Sequence, residues 1–315
     1  MTSRVFVVRR SPLARPLTAV VAAVLVTSAL VGCTGVSFSG ACEPVFEPGD
    51  ASNAVTATGD VGDSPAVEFP TPLIAEETQR SVLVQGDGEP AAAGSVIRAR
   101  YTYFDGATGA SGTESTELFT ASDLAMGLGE SLECVTVGSR IAVVGPVAEV
   151  LDGVEEGTEG TIVAILDIEA IYLGKANGVN QLPQDGMPTV VTAVNGEPGI
   201  SSTYQPIAEE PRTATIKAGS GATVTEDDTV VFHARSWNWS AGTTNTVTLG
   251  DVDSWTTGTP YAFAPTVDSL GDETLVDAFI GATVGSQILV VIPAADSASS
   301  ATVFVFDILG ILATE

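Results

Sequence analysis

One stretch of the chain occurs twice. Residues 130–146, ESLECVTVGSRIAVVGP, return in altered form as residues 277–293, DAFIGATVGSQILVVIP. Each copy reads as a short amphipathic helix, a Val-Gly-Ser turn and a buried strand that ends at proline. Leu128, Leu132 and Val135 fall at i, i+4 and i+7, as do Leu275, Phe279 and Ala282, so one helical face is apolar in each copy. The offset from Gly138 to Gly285 is 147 positions. A repeat of that size is a domain rather than a solenoid unit. The chain is therefore expected to fold as two like domains, each of which must seat the same helix, turn and strand.

The register runs beyond this stretch. Residues 65–88 superimpose on residues 198–221 at a constant offset of 133, which sets Ile74-Ala75-Glu76-Glu77 on Ile207-Ala208-Glu209-Glu210 and Gly86 and Gly88 on Gly219 and Gly221. It continues into residues 96–103 and 229–236, both alternating or β-branched and hence strand-like. Near the end of each copy Asp167-Ile168 faces Asp307-Ile308 at an offset of 140. The offset changes only across Gly-, Ser- and Thr-rich segments, where insertions belong. The expected order per unit is strand, Gly turn, strand, variable loop, short helix, Val-Gly-Ser, strand, loop, strand. Few helices and many non-local strands make this an α+β plan, an antiparallel sheet wrapped on one short helix. The boundaries follow: a leader over residues 1–32, a tether over 33–54, a first domain over 55–173, a Gly-, Asn- and Pro-bearing linker over 174–188 and a second domain over 189–315.

Charge excludes one class of partner. The formal net charge is −27, and four of the twelve basic residues, Arg4, Arg9, Arg10 and Arg15, lie in the first 32 residues, which contain no acid. The remainder repels phosphate backbones and carries no basic stripe, so nucleic acid is not an expected partner. Solubility of an exposed protein explains the acidity more simply than recognition of a basic substrate.

The basic N-terminus leads into an apolar run over residues 17–31, short of the ~20 residues that cross a bilayer as a helix but suited to a secretory signal core. Leu30-Val31-Gly32-Cys33 resembles the bacterial lipoprotein box. That resemblance implies cleavage before Cys33 and acylation there, an anchor at the outer face of the cytoplasmic membrane. Cys42 and Cys134 then remain in an oxidising compartment, and two cysteines allow one intramolecular pairing. A Cys42 to Cys134 bridge is the expectation; a buried free thiol at Cys134 is the alternative.

The order of elements resembles the FKBP-type peptidyl-prolyl isomerases, and the tandem lipoprotein layout resembles actinobacterial members of that family. The likeness is carried by Gly86-Asp87-Gly88, Asp228-Thr229-Val230, Val137-Gly138-Ser139-Arg140, Ile292-Pro293 and Phe304-Val305-Phe306-Asp307-Ile308-Leu309-Gly310. In the second unit, residues 252–263 (VDSWTTGTPYAF) are similar to the family's Phe-Asp-Ser-Ser-Trp segment and its following Pro-aromatic-x-Phe. The resemblance implies two FKBP-like domains and a pocket assembled from matching positions. In the first unit these are Tyr101, the strand tyrosine whose hydroxyl reaches the substrate carbonyl in the family, Phe119 on the wall and Leu128 in place of the tryptophan floor. In the second they are Asp253 or Asp251 for the acid, Tyr261 and Phe263 for the wall and Leu275 for the floor, with Ala234 at the strand-tyrosine position. Each unit keeps about half a pocket, which implies weakened isomerase activity or none.

The chemistry suits a chain with few reactive groups. Rotating an X-Pro amide meets a barrier of about 20 kcal/mol and needs no nucleophile, cofactor or metal, only an apolar pocket that favours the twisted amide. The one histidine, His233, reads as a strand residue facing a satisfied partner, and Asp251 with Asp253 reads as a loop rather than a metal site. Trp237, Trp239 and Trp255 read first as packing. The functional expectation is a surface-anchored isomerase or folding factor acting on proline-containing exported polypeptides. A catalytically silent scaffold or holdase is the second reading, and a solute-binding lipoprotein the third.

Overall fold

The structure is a computed structural model that describes residues 42–122, 126–151, 153–201, 206–240, 245–295 and 297–313. The leader, Cys33 and the first part of the tether lie outside these residues. In the first half the chain forms α1 (Asp50–Asn53), β1 (Thr56–Thr58), β2 (Ala66–Glu68), β3 (Gln79–Val84), β4 (Val96–Asp105), β5 (Ser111–Thr120), α2 (Met126–Ser131), β6 (Arg140–Pro146), α3 (Val147–Val150) and β7 (Thr161–Tyr172). In the second half follow β8 (Val179–Asn180), β9 (Thr189–Thr192), β10 (Pro198–Ser201), β11 (Arg212–Ala218), β12 (Val230–Ser240), β13 (Thr246–Asp253), α4 (Ser254–Thr257), β14 (Tyr261–Phe263), α5 (Val267–Leu270), α6 (Glu273–Phe279), β15 (Gln287–Ala294) and β16 (Ser297–Ile311).

Among the described residues, two large antiparallel sheets and two two-stranded hairpins, β1–β2 and β9–β10, result. The first large sheet has the order β3-β6-β7-β4-β5, and the second runs β11-β15-β16-β12-β13 through equivalent strands, with β8 added outside β11 and β14 paired to β12. The repeated Val-Gly-Ser turn does the same work in both. Ser139 Oγ accepts from the Gly86 amide at 3.0 Å, and Ser286 Oγ from the Gly219 amide at 3.0 Å. A Cβ on Gly86 would stand 2.1 Å from the Val137 carbonyl oxygen, and one on Gly219 would stand 2.3 Å from that of Val284. Only glycine permits this crossing, which is why both glycines keep their place in the repeat.

The helices are shorter than the apolar spacing predicts. Leu132, Val135 and Ala282 lie beyond the ends of α2 and α6. The chain turns out of the helix through a left-handed residue, Cys134 (φ 65) in one half and Gly281 (φ 84) at the matching position of the other. Leu132 and Val135 are nonetheless buried, so the spacing reports burial over a helix followed by a turn.

Each sheet is covered on both faces, not wrapped on a helix alone. On one face of the first sheet, Leu128 of α2 packs with Ile97, Ala99, Tyr101, Ile141 and Leu166. On the other face, the β1–β2 hairpin and α1 pack against Ala142, Val144, Val163 and Ile165. The second sheet repeats this with α6 on Val230, Phe232 and Ile308 and the β9–β10 hairpin over Leu289, Val291, Val303 and Val305. The expected tether and linker are both partly structured. Gln79 Oε1 accepts from the amides of Ala51 and Ser52 at the start of α1. Within residues 174–188, β8 joins the second sheet and the buried Ala176 amide donates to Asp307 Oδ2 at 2.8 Å. Val96, Val231 and Leu309 bury one another where the halves meet, and Thr120 Oγ1 donates to the Gly258 carbonyl at 2.6 Å. Residues from 42 onward thus pack as one compact unit.

Candidate functional site

Strand alternation decides which residues face α6. On β12, Val230, Phe232 and Ala234 turn toward the helix, while Trp237 and Trp239 join the core on the hairpin side. The β14 strand then pairs with β12, setting Tyr261 opposite Phe232 and Phe263 opposite Val230. Pro260 immediately precedes this short strand and Gly258 (φ 68) ends α4, so the chain returns to the sheet edge after the excursion.

Between these strands and α6 lies a hollow of about 170 Å³ lined by Phe232, Ala234, Val252, Tyr261, Phe263, Ser269, Leu270, Leu275, Phe304 and Phe306. Phe232 is its hub, with ring centroids 5.6 Å from Tyr261, 6.0 Å from Phe263 and 5.9 Å from Phe306. Leu275 forms the floor at 5% exposure, whereas Phe263 stands at the mouth at 41%. The volume is below the roughly 300–1,000 Å³ of pockets for drug-sized ligands, so the hollow takes one side chain or ring rather than a whole small molecule. Three larger concavities, one of about 510 Å³ under the β9–β10 hairpin, one of about 1070 Å³ where the halves meet and one of about 350 Å³ beside the C-terminal end of α6, include none of the residues expected for the site.

Tyr261, Phe263 and Leu275 therefore converge. Asp253 does not join them. Its neighbour Val252 faces the hollow, and alternation sends Asp253 the other way, where it caps α4 by accepting from the amides of Trp255 and Thr256 at 3.1 Å. Arg235 binds both its oxygens, Nε to Oδ1 at 3.0 Å and Nη2 to Oδ2 at 2.9 Å, and also donates to Glu197. Burial alone would raise the Asp253 pKa, but the Arg235 and Thr256 bonds outweigh it and bring the carboxyl down to about 2. Asp251 is exposed.

In the first half the corresponding residues meet as packed core. Tyr101 (7% exposed) and Leu128 (5%) share one cluster with Phe119 against it, and the Tyr101 and Phe119 rings lie 5.7 Å apart. The Tyr101 hydroxyl donates to Glu117 Oε1 at 2.7 Å, so it is already engaged. Burial, reinforced by Glu117, raises its pKa. Cys42 and Cys134 form a disulfide, with sulfurs 2.00 Å apart.

A second constellation went unpredicted. Across three neighbouring strands, Arg100, Asp167 and Arg140 stand in register in the first sheet, and His233, Asp307 and Gln287 in the second. Arg140 and Asp167, 0% and 2% exposed, bond through Nε–Oδ1 and Nη2–Oδ2, each at 2.6 Å. Asp307 instead takes the Gln287 amide at 2.8 Å and the Ala176 amide at 2.8 Å. Burial pushes its pKa up to about 6, against the pull of those two bonds and of Lys217. His233 Nδ1 lies 2.8 Å from Ser254 Oγ, its ring 4.4 Å from that of Trp255, and burial lowers its pKa to about 4. The repeat offsets align these rows in the sequence, but only strand register shows that they form rows.

No protein-family model matches the chain, and no curated protein matches it. Solved structures to which it is similar include the following. The three FKBP domains of wheat FKBP73 align over 75% of this chain and 94% of theirs, at 14% identity and a TM-score of 0.30. A peptidyl-prolyl cis-trans isomerase from Pseudomonas syringae aligns over 30% of this chain and 74% of its own, at 17% identity and a TM-score of 0.26. FkpA from Escherichia coli aligns over 30% of this chain and 47% of its own, at 16% identity and a TM-score of 0.26.

Proposed function

We propose that the protein is an FKBP-type prolyl-peptide-binding folding factor for exported polypeptides, with weak peptidyl-prolyl cis-trans isomerase activity in its second half. Lipid on Cys33 holds it at the outer face of the cytoplasmic membrane. The observation that carries the reading is the aromatic-walled hollow over Leu275, where Tyr261, Phe263 and Leu275 meet from two separate elements. A prolyl ring seated there leaves its preceding amide at the mouth, beside Phe263 and the hydroxyl-bearing Tyr261 and Ser269. Groups that hold the ring and meet the twisted amide better than the planar one lower a barrier of about 20 kcal/mol without reacting. Ala234 offers no hydroxyl from β12, and Asp253 is tied to Arg235. One missing hydrogen bond at ~0.5–1.5 kcal/mol costs up to about tenfold in rate, hence a weak enzyme.

Exchange spectroscopy on a proline tetrapeptide with residues 34–315 tests this. The expected result is acceleration over buffer, and a rate equal to buffer with no binding of a proline peptide ends the reading. The anchor is tested separately by a fatty-acid analogue that labels the full chain but not Cys33→Ala. Ala234 and the bonded Asp253 also favour a second reading, a catalytically silent scaffold or holdase. It predicts suppressed aggregation of a proline-free client without isomerase turnover.

A further inference from the structure

The apolar hollow sits in a one-sided electrostatic setting. Residues 241–315 contain no lysine, arginine or histidine. That stretch supplies most of the wall, from Val252 through Tyr261 and Leu275 to Phe306. Acids crowd its helical margin in the chain: Asp268 precedes Ser269, and Asp272 and Glu273 lie between Leu270 and Leu275, whereas alternation turns Asp251 and Asp253 away from the side that Val252 faces. Asp251, Asp268 and Glu273 are exposed and Asp272 is half-buried. Arg235 neutralises Asp253, while Asp272 accepts from the Thr274 amide at 2.7 Å as the cap of α6.

The cations of this half are gathered on the opposite face. From residue 174 onward the lysines and arginines are Lys175, Arg212, Lys217 and Arg235. Lys175 and Lys217 border the concavity under the β9–β10 hairpin, together with Ala214 and Leu289. Lys175 donates to the Val194 carbonyl, Lys217 to that of Ala176 and Arg212 to that of Asp185. Arg235 reaches Glu197 and Pro198 at the same hairpin. His233 is buried beneath Trp255 and adds no charge at neutral pH, since burial holds its pKa near 4. A low-dielectric wall edged by charges of one sign concentrates their field at the mouth.

Resting on the prolyl-peptide reading above, we propose that the ligand of this hollow is a polypeptide segment whose proline is flanked by lysine or arginine. The ring enters the aromatic hollow, and the flanking cations lie against the carboxylates of Asp268, Asp272 and Glu273. Such pairing at an exposed rim acts on selection and encounter rate more than on the depth of binding, and salt weakens it.

Three fluorescently labelled peptides with a common Leu-Pro-Phe centre, flanked on both sides by lysine, alanine or glutamate, test the proposal against the full chain by anisotropy. At about 20 mM salt the lysine-flanked peptide is expected to bind roughly tenfold tighter than the alanine one, falling to about twofold at about 500 mM. In the combined Asp268→Asn, Glu273→Gln variant, which leaves the Asp253 and Asp272 caps in place, the low-salt ratio should fall below about threefold. Equal binding of the lysine and alanine peptides at low salt, or a ratio unchanged in the variant, overturns the basic-flank proposal and leaves the prolyl reading standing. Failure of all three peptides to bind removes both.

Discussion

The buried row of the second sheet makes a pH prediction in which two groups oppose each other. Asp307, 1% exposed, has its pKa raised by burial from 3.8 to about 6, so the native state holds a proton there that the unfolded chain has released. Its contribution to stability is full below about pH 3.8 and is lost as pH rises through about 6. A displacement of roughly two pH units at about 1.4 kcal/mol per unit is worth about 3 kcal/mol. His233 runs the other way. Its pKa falls from 6.5 to about 4 through burial, so its contribution is full above 6.5 and is lost as pH falls through about 4. The two terms nearly cancel between pH 4 and 6.5 in the unaltered protein, and a mutant must separate them. Asp307→Asn removes the first term alone. In urea unfolding followed by tryptophan fluorescence, the stability of the wild type relative to Asp307→Asn should rise by about 3 kcal/mol as pH falls from above 6 to about 4. His233→Asn, unfolded in the same way, leaves a wild-type advantage that shrinks on acidification. A gap between wild type and Asp307→Asn that is flat, or that widens as pH rises, refutes the assignment of a buried proton to Asp307.

Asp167→Asn should be the more damaging change at the equivalent position, costing about 3–5 kcal/mol at pH 7, because it leaves the Arg140 guanidinium buried without its carboxylate; chemical denaturation measures it. Cys134 holds a left-handed conformation (φ 65) where its counterpart is Gly281. With Cys42→Ser in both proteins, Cys134→Gly should therefore be more stable than Cys134→Ser by about 1 kcal/mol in thermal unfolding. Phe263→Ala, at a 41% exposed position, should change stability by less than about 1 kcal/mol yet weaken binding of a proline peptide at least fivefold in an anisotropy titration.

The parts that sequence made legible are those where geometry restricts residue choice. The Val-Gly-Ser turn repeats because Gly86 and Gly219 have no room for a Cβ and both turn serines cap an amide. The wall residues Tyr261 and Phe263 stand out only through the resemblance of residues 252–263 to the family motif, and their spacing of two sets both on one face of β14. The hairpins β1–β2 and β9–β10 stayed hidden because strands of three or four residues are too short to show a period. The structured linker was hidden for a related reason, since β8 is two residues long and the Ala176 contact uses a backbone amide that sequence does not mark. Asp253 was a different kind of miss. Strand alternation alone places it opposite Val252, and the resemblance of the surrounding motif obscured that simple rule.

Why the described residues of the first sheet pack together where those of the second line a hollow follows from two positions on equivalent strands. On β4 the residues facing the helix read Ile97, Ala99, Tyr101, and on β12 they read Val230, Phe232, Ala234. The large and small members of the last pair are exchanged. In the first sheet the Tyr101 ring fills the space over Leu128 and anchors its hydroxyl on Glu117. In the second the ring has moved one pleat along to Phe232, where it packs edge-on against Phe279 and Phe306 and tilted against Tyr261, and Ala234 leaves the matching space over Leu275 open. Packed interiors do not tolerate an opening of that size without loss, since unfilled volume forfeits contacts on every wall. The aromatic cluster around Phe232 supplies contacts that keep the walls from collapsing into the gap. The site is thus made by a side chain that is absent at Ala234 and by rings that hold the remaining space open, and for that reason no reactive residue marks it in the sequence.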